Sequence, residues 1–214
     1  MPRLLCYGDS NTWGYATEPR PDGRYGDSER WPCVLAAELG SDWQVIEEGL
    51  SGRTTVHQDP IEGRWLDGSS YLLPCLRTHA PLDIVVVLLG TNDLKARFSA
   101  TPYDIAAGVG VLLDIIAKSA TGPGTRAPHV LVVCPPPILP ETLTATDWGC
   151  IFEGGIEKSR QLRPHYERMA REMGAAFLDA GEVITSSPAD GIHLDPEMQV
   201  RLGKAVAKAV KAMG

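Results

Sequence analysis

The sequence has no Cys-x-x-Cys pair, no cluster of basic residues and no apolar run longer than the six residues Ile84 to Leu89. So short a run excludes a membrane-spanning helix, which needs about 20 consecutive apolar residues. The five cysteines, Cys6, Cys33, Cys75, Cys134 and Cys150, are odd in number and scattered. They exclude a disulfide framework and a zinc knuckle and read as reduced thiols, Cys6 and Cys134 as small core residues. With 20 basic against 27 acidic side chains the net charge is -7, which argues against nucleic-acid or anionic-membrane partners. Internal repeats and low-complexity tails are absent. Only Met1-Pro2-Arg3 precedes the first strand-like run, too little for a cleavable signal, so a cytoplasmic protein is expected.

What is present fits one core. A chain of 214 residues with 43% hydrophobic content is read as a single domain, 1–214. Continuous apolar runs at Leu4–Tyr7, Ile84–Leu89 and Val130–Cys134 read as strands buried on both faces. Trp43–Ile46 and Ala175–Leu178 supply two more. Helical patterns cover Trp31–Leu39, Ser69–His79, Pro102–Lys118 and Ile156–Met173. A final helix opens with Asp195 as N-cap and Pro196 at its first position. The alternation predicts an α/β protein, a three-layer flavodoxin-like fold with a five-stranded parallel sheet and helices on both faces. Two connections are long, near 16–30 and 135–155, and such loops are commonly lids or interface elements.

Ligands of such sheets sit beyond the carboxyl ends of the strands. Those ends carry Gly8-Asp9-Ser10-Asn11, Ser51-Gly52-Arg53, Gly90-Thr91-Asn92-Asp93 and Pro135-Pro136-Pro137, while Asp190-Gly191-Ile192-His193 precedes the last helix. A serine alcohol needs a base with a pKa near neutrality. Of the five histidines, His193 alone follows an Asp by three residues in a Gly-containing loop at a helix entrance. Asp190 can hold its far N–H and fix the tautomer. In isolation Asp-x-x-His is a common turn, but the loop before the last helix can reach the end of the first strand, where Ser10 sits. The Ser10 N–H, the Gly52 N–H and the Asn92 amide are candidate oxyanion donors, although Gly and Asn are also ordinary turn formers.

These blocks, in this order and across nearly the whole chain, resemble those of the SGNH (GDSL-type) hydrolases, whose Ser, Gly, Asn and His would be Ser10, Gly52, Asn92 and His193. Thr12-Trp13-Gly14, Val45-Ile46-Glu47-Glu48-Gly49-Leu50-Ser51 and Ile151-Phe152-Glu153-Gly154-Gly155 are similar to the bacterial arylesterases with acyltransferase and perhydrolase activity. The resemblance implies a Ser10-His193-Asp190 triad acting on short acyl esters, with water or an alcohol as acceptor and with no cofactor or metal. It also implies a homo-oligomer, an octamer in form, whose loops build a narrow apolar entrance lined by Trp13, Tyr15, Phe152 and Ile192.

Three other readings remain open on the sequence. An acetyl-sugar esterase would use the same triad. A flavin-binding module would place a phosphate at Ser10-Asn11-Thr12, next to the adverse charge of Asp9. A metal-dependent phosphoesterase would gather Asp9, Asn92, Asp93 and His193 as ligands.

Overall fold

The computed structural model describes residues 1–140 and 147–213. Five parallel strands, β1 (Arg3–Gly8), β2 (Gln44–Gly49), β3 (Ile84–Leu88), β4 (His129–Cys134) and β5 (Ala176–Asp179), form one sheet in the order β2-β1-β3-β4-β5. The predicted α/β architecture is therefore the observed one. β2 runs three residues beyond its predicted end, because Glu47, Glu48 and Gly49 continue the pairing with Cys6, Tyr7 and Gly8. Burial on both faces follows the pleat. Leu4, Cys6, Ile84, Val86, Leu131 and Val133 pack with Trp31, Leu35, Leu202 and Val206 from helices Trp31–Leu39 and Pro196–Lys211. Leu5, Tyr7, Val85 and Val87 face Leu72, Leu76, Leu112 and Ile116 from helices Gly68–His79 and Pro102–Lys118. Cys6 and Cys134 are free thiols in this core, as expected. Among the described residues no helix is long and apolar enough to cross a membrane.

Three expectations change. The pattern over Ile156–Met173 is two helices, Gly155–Arg160 and Leu162–Glu172. Pro164 explains the break: it lacks an N–H and its ring would collide with the Arg160 carbonyl in a continuous helix, whereas in the first turn of a new helix that N–H has no partner anyway. Asp195 occupies the N-cap position before Pro196 but makes no side-chain cap. Its Oδ1 accepts a 2.7 Å hydrogen bond from Thr17 Oγ1 instead, anchoring the 16–30 loop. Finally, the β2-to-helix connection, residues 50–67, is a third long loop that the sequence reading passed over. Of the predicted 135–155 loop, residues 141–146 lie outside the described residues.

The serine-bearing turn depends on close backbone approach. Ser10–Trp13 forms one helical turn, capped by the Asp9 side chain accepting from Asn11 N–H. It packs so tightly on the end of β2 that a Cβ at Gly49 would lie 2.2 Å from Trp13 N and 2.6 Å from Trp13 Cα. Backbone atoms cannot yield as a flexible side chain can. Gly49→Ala should therefore destabilise the protein by about 1–3 kcal/mol, measured by urea unfolding, with activity falling as the Ser10 turn is displaced.

Candidate active site

Ser10 begins its helical turn, so its N–H has no intrahelical acceptor. Its Oγ lies 3.0 Å from His193 Nε2, and His193 Nδ1 lies 2.6 Å from Asp190 Oδ2. The other Asp190 oxygen accepts the backbone N–H groups of Ile192 (2.9 Å) and His193 (2.8 Å), so the acid is fixed by the same short loop that carries the base. Gly191 makes that loop possible by adopting φ +76°, a region costly for other residues. Burial alone would raise the Asp190 carboxyl. The hydrogen bond and charge of His193, with the two N–H groups, outweigh it and hold the group below the ordinary carboxylate range. An ionised Asp190 against Nδ1–H leaves Nε2 as the lone pair facing Ser10. Tyr15 stacks on the imidazole with ring centroids 4.0 Å apart, and Trp148 meets it edge-on at 6.1 Å.

Gly52 and Asn92 arrive on loops after β2 and β3. Gly52 has φ +86°. Asn92 Nδ2 donates to the Arg53 carbonyl at 3.1 Å, which orients the amide and commits only one of its two hydrogens. Ser10, Gly52, Asn92 and His193 line one cavity of about 150 Å³ together with Tyr15, Phe152 and Ile192. Of the nine residues singled out for the site, these seven line the cavity, and Asp190 stands behind His193. Trp13 does not line it. Its ring instead lies under the Arg24 guanidinium, 5.3 Å from the centroid, because the tight turn on Gly49 points it toward the 16–30 loop.

The sequence reading missed Ser51, Glu62, Lys95 and Trp148, which also line the cavity. The signal lay in the segment Asn92-Asp93-Leu94-Lys95-Ala96-Arg97. Buried Asp93 accepts from Thr55 N–H, Thr55 Oγ1 and His57 Nδ1. Lys95 Nζ lies 2.7 Å from Glu62 and 3.5 Å from Asp59, while Arg97 contacts both acids. These bonds pin the 50–67 loop against the end of β3. Asp9, Asn92, Asp93 and His193, the ligand set of a phosphoesterase, therefore have separate partners. Asn11 and Thr12, which would have cradled a flavin phosphate, are buried.

A serine, an imidazole and a carboxylate hydrogen-bonded in series, beside a cavity that Gly52 and Asn92 also line, make up the site of a serine hydrolase. The chain belongs to the GDSL-like Lipase/Acylhydrolase family, whose model matches residues 6–201, and is a carboxylic ester hydrolase. It is similar to the native aryl esterase of M. smegmatis, at 47% identity and TM-score 0.91 over 100% of both chains. The inhibitor-bound form of that enzyme gives 46% and 0.93 over the same coverage. A carbohydrate acetylesterase from Sinorhizobium meliloti gives 44% and 0.91, again over 100% of both chains. A search of curated proteins gives no match.

Asp9 gives the site a pH signature. Burial pushes its carboxyl up to about 6, partly offset by the Asn11 N–H and by His193. The folded state then holds a proton that the unfolded chain releases near its ordinary value of 3.8. This contribution to stability is complete below that value and is lost as pH rises through about 6, a change on the order of 3 kcal/mol. Asp9→Asn, which keeps an oxygen for Asn11, should gain stability relative to wild type as pH is raised from 4 to 7 in urea melts.

Proposed function

We propose that this protein cleaves short-chain acyl esters, aryl esters included, through an acyl-Ser10 intermediate, and passes the acyl group to alcohols or peroxide as well as to water. The Ser10–His193–Asp190 line opening onto a cavity of only about 150 Å³ is the observation that carries the reading. Pockets for drug-sized ligands start near about 300 Å³, so the cavity itself suits a short acyl group.

In this reading Ser10 Oγ attacks the ester carbonyl while His193 Nε2 takes its proton. Asp190 holds the resulting imidazolium. The Ser10 N–H, the Gly52 N–H and the free hydrogen of the Asn92 amide receive the oxyanion. His193 then returns the proton to the leaving alcohol, and the acyl group stays on Ser10. A second nucleophile, activated in the same way, releases it. Buried Phe152 and Ile192 make part of the wall apolar, which disfavours water relative to an organic acceptor. The names of the similar enzymes suggest two alcohols, an aryl group and a sugar; the sugar ester is the second reading, and the polar lining residues Ser51 and Glu62 favour it. A homo-oligomer belongs to the same proposal, supported by Ile61 and Trp65, which are 74% and 70% exposed on the 50–67 loop.

Four results should follow with phenyl esters of increasing acyl length. Ser10→Ala should lose several orders of magnitude in rate, and Asn92→Ala about 10² to 10³ in kcat. Rates should fall steeply beyond short acyl groups. Added alcohol should yield a transferred ester in competition with free acid. A Ser10→Ala protein as active as wild type would overturn the mechanism.

A further inference from the structure

The walls of the cavity differ in chemistry and in depth. Its floor is made of buried groups, among them Ser10, Asn92, Phe152 and Ile192. Ser51 and Glu62, beside Gly52, and Tyr15 and Trp148, against the His193 ring, are more exposed lining residues. The floor suits a small acyl group, so a bulkier alcohol must leave past the rim, between a carboxylate and two aromatic rings.

Glu62 is an unexpected neighbour for an oxyanion site. Its Oε2 lies 3.3 Å from where a Gly52 Cβ would be, and a carboxylate there opposes negative charge developing nearby. Lys95, at 2.7 Å from Oε2, and Arg97, at 3.3 Å from Oε1, offset that charge. The clamp on the loop already has a buried acid in Asp59, whose side chain is 0% exposed and contacts both cations. Glu62, by contrast, keeps 37% of its side chain exposed. Each of its oxygens takes one basic partner, leaving an acceptor site on each. The two ion pairs hold those sites in place at the wall of the cavity.

From this juxtaposition we propose that Glu62 is a specificity-determining residue that accepts a hydrogen bond from a hydroxyl of the alcohol portion, selecting esters of sugars or related polyols. The inference rests on the reading that Ser10 cleaves short acyl esters and names the alcohol for that site. A pyranose presents both features the rim demands. Its C–H face stacks on an aromatic ring such as Tyr15 or Trp148, and its hydroxyls donate to a carboxylate. A phenyl ester uses only the aromatic side. The ion pairs with Lys95 and Arg97 hold the acceptor rigid, so little side-chain freedom is lost when the alcohol binds.

The test compares kcat and KM on a monoacetylated methyl glucoside and on phenyl acetate for wild type, Glu62→Gln and Glu62→Ala. Glu62→Ala should lower the ratio of kcat/KM, glucoside over phenyl ester, by about 10-fold, chiefly through KM of the glucoside. Glu62→Gln retains an oxygen for Lys95 and guards against a misfolded variant; it should lower the ratio by about threefold. An unchanged ratio in both variants, whether or not the individual rates fall, would assign Glu62 to the loop clamp alone and overturn the proposal. So would a wild type that cleaves phenyl acetate and ignores the glucoside, an outcome that leaves the esterase reading intact. Failure of wild type on both esters would instead remove the esterase reading and this inference with it.

Discussion

The register of β1 between its two neighbours is the constraint on which the site depends. Gly8 pairs with Gly49 on one side and with Leu88 on the other, and Leu50 N–H bonds back to the Gly8 carbonyl. The chain therefore leaves β1, β2 and β3 at one level, and Ser10, Gly52 and Asn92 meet there. A one-residue slip would move Leu4 and Cys6 to the opposite face of the sheet from their helix partners. Core packing on both faces thus holds the hydrolytic geometry, although Leu4, Cys6 and their helix partners do not line the cavity.

A second layer of control is ionic. The segment after β3 places four polar side chains in six residues, and each fixes something different. Asn92 supplies an amide donor, Asp93 ties down Thr55 and His57, and Lys95 and Arg97 fasten Asp59 and Glu62. Buried charges of this kind gain little in net stability but demand their partners in one arrangement. They suit a loop that must hold Gly52 at φ +86°. The same bonds that hold the loop bearing Gly52 also fix Glu62 beside it, so in the proposed reading loop position and alcohol choice share one set of contacts.

The sheet and the hydrolytic line were legible in the sequence because both are written in local patterns. Strands buried on two faces leave continuous Val, Ile and Leu runs. The Ser10 turn and the Asp190-x-x-His193 loop are complete within a few residues each, and fold topology supplies the meeting between them. Features set by tertiary contact were not legible. The 50–67 loop has no periodicity, and nothing local in the sequence marks Asp59 and Glu62 as the partners of Lys95 and Arg97. Trp13 follows Ser10 closely in sequence, yet a helical turn aims it away from the cavity, while Trp148, far away in the chain, fills that role. Asp195 was a plausible cap by position; Thr17, remote in sequence, claims its carboxylate.

The central claim is that an acyl group resides on Ser10 between two half-reactions. The direct measurement is mass spectrometry of protein quenched with acid within milliseconds of mixing with excess phenyl acetate, followed by digestion. The account predicts one added acetyl group, located on the peptide containing Ser10, appearing before steady state and discharged faster when an alcohol is present. Steady turnover of the ester by a protein that never carries that acetyl group, or carries it on another residue, would contradict it.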